Sequence, residues 1–157
     1  MADLLRFTVP GKPEYVGAVR LAVSSAANTA GFDFEDVEDI KIAVSEVCTN
    51  VFCCGDTVTY DVSCELAEDG IIICIDDGLD ETQNCCEALL RACEKEADEV
   101  KHCVESLPDS VKDAVYEDDS FDPYTSIVML RALMDEVDIF SDRNNRESML
   151  IRMIKHF

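Results

Sequence analysis

The sequence predicts an α+β protein: a two-layer α/β sandwich in which helices cover one face of a mixed sheet. Three patterns carry that expectation. Residues 57–66 alternate without a fault, Val58, Tyr60, Val62, Cys64 and Leu66 against Thr57, Thr59, Asp61, Ser63 and Glu65, which is the period of a half-buried strand. Residues 71–75 form an unbroken apolar run of strand length after the Glu68-Asp69-Gly70 turn, so the two segments pair as a hairpin. Val37, Ile40, Val44, Val47 and Val51 recur at helical spacing and mark the core face of a helix. The 157 residues suit one domain, 1–157, since a chain of this size buries roughly two-thirds of its unfolded surface.

The remaining elements follow in chain order. Leu5, Phe7 and Val9 alternate with Arg6 and Thr8 as a short strand ended by Pro10-Gly11. Pro13 opens a helix with apolar positions at Tyr15, Val19, Leu21 and Ala26, and Gly31 stops it. Asp33 caps a second helix, expected from Glu35 to about Phe52. Residues 85–119 have helical composition broken by Pro108. Asp122-Pro123 then starts a helix carrying Ile127, Leu130, Leu133 and Met134, and strands at 137–140 and 148–154 flank a turn at Asn144-Asn145. Met129, Met134, Met149 and Met153 read as core filler, Arg143 and Arg146 as exposed charges beside the turn.

Charge and cysteine content narrow the function classes. Thirteen basic residues against 34 acidic ones leave a net charge of −21, which disfavours direct contact with nucleic-acid phosphates and favours a basic protein partner. No apolar run reaches the roughly 18 residues of a membrane span, and the start shows no export leader, so a cytoplasmic protein is expected. The nine cysteines read as reduced thiols, mostly small core hydrophobes; Cys53-Cys54 and Cys85-Cys86 are vicinal, but no C-x-x-C spacing supports a structural metal.

Two groups of residues have the chemistry of a site. Glu46 and Asn50 are four apart and share a helix face away from the apolar stripe. A carboxylate beside an amide oxygen suits a general base next to magnesium-bound phosphate, though the same pair also occurs on plain solvated helices. Asp76-Asp77-Gly78 closes the apolar strand, where a carboxylate can accept a hydrogen bond from an exocyclic amine such as adenine's; an ordinary strand-end turn has the same composition.

The stretches KPEYVGAVRLAVSSAA, EDIKIAVSEVCTN, IIICIDDG and ALMDEV, in that order, resemble the RsbW-type anti-sigma factors, serine kinases of the GHKL ATPase superfamily. The resemblance implies the histidine kinase-like ATPase (GHKL/Bergerat) fold, with ATP and Mg2+ as cofactors. It makes Asn50 the magnesium ligand, Glu46 the catalytic base, Asp76 the partner of the adenine amine and Gly78 the glycine under the base. It also implies a homodimer whose partners are a sigma factor and an anti-anti-sigma antagonist of the STAS type, with neither nucleic acid nor membrane contacted directly.

The chain departs from the family where the phosphates would sit. The aligned second glycine box reads Pro123-Tyr124-Thr125-Ser126-Ile127, and no glycine follows Gly78. Thr125 and Ser126 are therefore the cofactor-binding candidates of this box, and Asp80 replaces a glycine of the first box. Non-glycine side chains resist the backbone conformations of a phosphate cradle. The lid region, about 79–122, is acidic: residues 94–122 hold eleven Asp and Glu against three Lys, a balance of −8. The expectation is a retained adenine half with an eroded phosphate clamp and weak or lost kinase activity. The alternative is a nucleotide-independent acidic module, a pseudokinase that sequesters a basic protein.

Overall fold

A computed structural model describes residues 2–53, 57–77, 123–141 and 149–157. The expected lid, the 85–119 stretch, Cys54, Gly78, Asp80, Asp122, Arg143, Asn144, Asn145 and Arg146 lie outside the described residues. Strand β1 (Asp3–Pro10) is followed by a 3-10 turn at Pro13–Tyr15, helix α1 (Val16–Ala30) and helix α2 (Phe34–Val47). The hairpin β2 (Thr59–Ala67) and β3 (Gly70–Asp76) comes next, then α3 (Pro123–Leu133), β4 (Glu136–Ser141) and β5 (Met149–His156).

Local chemistry explains the helix boundaries. Gly31 ends α1 in the left-handed region at φ 98°, where its N–H still reaches the carbonyls of Ala27 and Asn28. Asp33 caps α2 by accepting from the Asp36 N–H at 2.9 Å, and Glu35 and Asp36 put negative charge at the helix's positive end. The regular helix stops at Val47, short of the expected Phe52, because Cys48–Phe52 widens into a π-helical turn closed by Cys53 N–H donating to Cys48 O at 2.9 Å.

The strands form one sheet in the order β1-β2-β3-β5-β4. Every described pairing is antiparallel, which corrects the expected mixed sheet. One helix between adjacent strands would make them parallel, but β1 and β2 are separated by the α1–α2 hairpin, and the second helix reverses the chain. β5 also inserts between β3 and β4, so those two strands, which share a direction, are not neighbours.

The core lies between the helices and the sheet face bearing Tyr60, Val62, Cys64, Ile71, Ile73, Ile75, Ile151 and Met153. Helix α2 packs between α1 and α3 and buries Val37, Ile40, Ala43, Val44 and Val47. Each fully buried aliphatic side chain contributes about 1.5–3 kcal/mol relative to exposure. Met134 and Met153 are core residues as expected. Leu21 and Val58 are not: they are 72% and 83% exposed, and β2 begins only at Thr59, one step past Val58. Alternation places Cys74, Leu150, Arg152 and Ile154 on the opposite sheet face, where they too are buried. There Arg152 meets Asp138 at 3.3 Å and Glu136 at 3.7 Å.

Candidate functional site

The end of α2 carries the first pair. Asn50 Nδ2 donates to Glu46 Oε1 at 2.6 Å, and both residues are half-buried rather than lying on an open helix face. Glu46 is in the last turn of α2, and Asn50 is at the centre of the π-helical turn. With Nδ2 turned to the carboxylate, the other prong of the amide, Oδ1, is directed elsewhere as an acceptor. A carboxylate and an amide oxygen are hard donors, the kind magnesium takes. Among the described residues no three His, Cys, Asp or Glu side chains gather into a metal site.

Below that turn the structure is tightly packed. Phe52 stacks on Tyr60 with ring centroids 5.3 Å apart. Cys48 and Tyr60 are buried, and Cys53 is half-buried. Burial pushes the Cys48 thiol up to about 12, a rise that the polar Tyr60 side chain only partly opposes. Burial likewise raises Cys53 and Tyr60.

The second group stands at the same end of the sheet. Asp76 is the last residue of β3, half-buried, opposite Asp61 of β2 and Leu150 of β5. The next residue, Asp77, accepts a long hydrogen bond from Thr57 Oγ1 at 3.5 Å. Gly11 N–H donates to Val58 O at 2.8 Å, and a Cβ on Gly11 would stand 2.1 Å from Thr57 O and 3.5 Å from Phe52 O. The end of β1, the π-helical turn, the start of β2 and the end of β3 therefore converge. This convergence brings the neighbourhoods of Asn50 and Asp76 together across about 26 residues of sequence.

Other expected site residues are placed less fully. Gly78 lies outside the described residues. Thr125 and Ser126 fall in the first turn of α3, which starts at Pro123 as expected. Thr57 and Gly11 are neighbours of the site that the sequence reading passed over. Thr57 had been counted only as the polar phase of a strand and Gly11 only as a strand stop. The Pro10-Gly11 pair was the available signal, since a glycine at a strand end also marks close backbone approach.

Comparison with known proteins agrees with this architecture. The family model described as histidine kinase-like ATPase domain matches residues 9–155. A protein named serine-protein kinase RsbW from Halalkalibacterium halodurans is 57% identical over 49 residues, 31% of this chain and 30% of the relative. Proteins of the same name are 54% identical over 48 residues in Bacillus pumilus and 51% over 49 residues in Bacillus subtilis. The matched stretches span 30% and 31% of those two relatives' lengths.

Proposed function

The chain belongs to the histidine kinase-like ATPase domain family, and on that premise we propose that it is an anti-sigma regulator descended from an ATP-dependent serine-protein kinase. The observation that carries the reading is the 2.6 Å bond between Asn50 and Glu46, which presents an amide oxygen and a carboxylate together at the end of α2. The similarity to proteins named serine-protein kinase supports it. In this reading Asp76 accepts from the adenine amine, Gly78 lies under the base, and Thr125 and Ser126 stand at the phosphate end. Asn50 offers Oδ1 to magnesium, and Glu46 orients Asn50 and takes the proton of an attacking serine hydroxyl. Bound magnesium supplies charge neutralisation at the phosphates.

The partners in this reading are a sigma factor and a STAS-type antagonist competing for one cytoplasmic homodimer, with no direct nucleic-acid or membrane contact. Among the described residues no helix is long and apolar enough to cross a membrane. The phosphate clamp is eroded in this reading, because Tyr124 and Ser126 occupy the aligned glycine positions of the second box and no glycine follows Gly78. Turnover is accordingly slow or lost.

Calorimetric titration of ATP and ADP, with and without magnesium, tests the reading. Magnesium-dependent ATP binding that disappears in Asn50→Ala is the expected result. Rapid phosphorylation of a serine on an antagonist would overturn the eroded clamp. No heat and no thermal shift with either nucleotide would overturn the nucleotide site and favour the second reading, an acidic pseudokinase scaffold. That reading rests on the −8 balance of residues 94–122. It requires sigma-factor binding that ignores ATP and is lost in about 0.5 M salt, where charge screening is short-ranged.

A further inference from the structure

At the end of α2 remote from Asn50, two exposed phenylalanines come together. Phe34, the first residue of α2, is 80% exposed, and Phe157 is 61% exposed. A lone exposed apolar residue is ordinary, but these two are joined through a third ring. Phe157 stacks on Phe32 with ring centroids 4.6 Å apart, and Phe32 lies two residues before Phe34, within ~7 Å along the chain. The neighbourhood is fixed by polar contacts as well. Phe157 N–H donates to Asp69 O at 3.2 Å, and the Lys155 ammonium lies 3.3 Å from Asp36 of α2. The turn before α2, the β2–β3 turn and the end of β5 therefore share one surface with an aromatic centre.

The rim of that surface is acidic. Asp33 and Glu35 flank Phe34, Glu68 and Asp69 form the β2–β3 turn, and Asp135 accepts the His156 N–H at 2.7 Å beside Phe157; all five acids are exposed. Lys155 does not offset them, because its side chain is 12% exposed and turned to Asp36, Asp39 and the Leu133 carbonyl. Protonated His156, 3.8 Å from Asp69 and 3.5 Å from Glu136, matches at most one charge of the rim. A second copy of this face meets like charge here, as do nucleic-acid phosphates and anionic lipid. A helix with an apolar row flanked by lysine and arginine meets opposite charge around an apolar centre. We propose that Phe34 and Phe157 seat the apolar row of a basic amphipathic helix from a partner protein, whose cations pair with the acidic rim. Such a helix leaves the Asn50 end clear, since Glu46 lies ~18 Å along α2 from Phe34. The docking face stands without the nucleotide reading, and it uses residues other than the acidic stretch 94–122.

The test is fluorescence anisotropy with the full reduced chain and, as probe, a labelled leucine–lysine peptide of about 18 residues with leucine at helical spacing. A scrambled isomer has the same charge and composition without the apolar row. In ~0.15 M salt the ordered peptide binds about fivefold or more tightly than the isomer. Phe34→Ser keeps the charge and, at so exposed a position, the fold; it weakens the ordered peptide about fivefold or more. Glu68→Lys weakens it more than Glu14→Lys, a matched reversal three residues past Gly11 at the Asn50 end. Amide shifts centre on Phe34, Asp69 and Phe157 and spare Asn50. No binding, equal binding of the two peptides, equal effects of the two reversals, or shifts centred elsewhere overturns the inference. So does a dimer that becomes monomeric in Phe34→Ser, because a second copy then occupies the face.

Discussion

Lys155, near the end of β5, donates from Nζ to the carbonyl of Leu133, the last residue of α3, at 2.7 Å. The same ammonium lies 3.3 Å from Asp36 and 3.3 Å from Asp39 of α2. One cation therefore satisfies a helix-end carbonyl and pairs with two acids on the neighbouring helix. It ties α2, which carries Glu46, to α3, which carries Thr125 and Ser126.

Lys155→Met keeps most of the apolar stem and removes all three contacts. The expected loss is about 1–3 kcal/mol of unfolding free energy, the range for a charged hydrogen bond whose partners are only part-buried. Urea unfolding measures it, and a change within 0.5 kcal/mol would mean that solvent screens the cluster.

Glu46→Gln retains an oxygen that can accept from Asn50 Nδ2 and removes the base. ATP affinity should stay within about threefold, while any residual phosphoryl transfer falls by ~10²-fold or more. Single-turnover kinetics with labelled ATP separates the two effects. An equal loss of affinity and transfer would make Glu46 a positioning group only.

Two glycines should respond in opposite directions to alanine. At Gly11 the new methyl would meet Thr57 O at 2.1 Å, so backbone must move and stability should drop by about 1–3 kcal/mol. Gly17 is inside α1 with nothing within 4 Å, so Gly17→Ala should stabilise by about 0.5–1 kcal/mol. Thermal midpoints that moved in the same direction would contradict this geometry.

His156 places Nε2 3.5 Å from Glu136 and Nδ1 3.8 Å from Asp69, and its backbone N–H donates to Asp135 at 2.7 Å. The Glu136 hydrogen bond raises its pKa above the ordinary 6.5; desolvation opposes, and the backbone bond and charges of Asp69 and Asp135 add to the rise. A raised folded-state value means that the stabilisation is full below about 6.5 and is lost as pH climbs through the higher folded value. The side chain is 43% exposed, so screening keeps the effect small, about 1–2 °C in Tm. Comparing wild type with His156→Gln at pH 6 and pH 8 should show a difference only at the lower pH.

Much of this architecture could be read from the chain alone, because the periods that reveal it are local. Alternation in β1 and β2, the isoleucine run of β3, the Asp33 cap and the Gly31 stop each reflect which face of one element is buried. The four-residue spacing of Glu46 and Asn50 likewise placed them on one face before any neighbour was known. Where burial breaks the local period, the reading failed, as at Val58 and Leu21, which are apolar yet exposed.

What only the tertiary structure decided depends on partners distant in sequence. Hydrophobic period is blind to strand order, so the insertion of β5 between β3 and β4 and the wholly antiparallel described pairing came from packing. The π-helical turn has no period of its own in so short a stretch; it forms where Phe52 stacks on Tyr60, a residue of the distant strand β2. Nothing in the local pattern marks Lys155; β5 brings it against α2 and the end of α3. Elements follow from how each segment hides its own apolar side, whereas a site and its supports arise where separate segments must satisfy one another's polar groups.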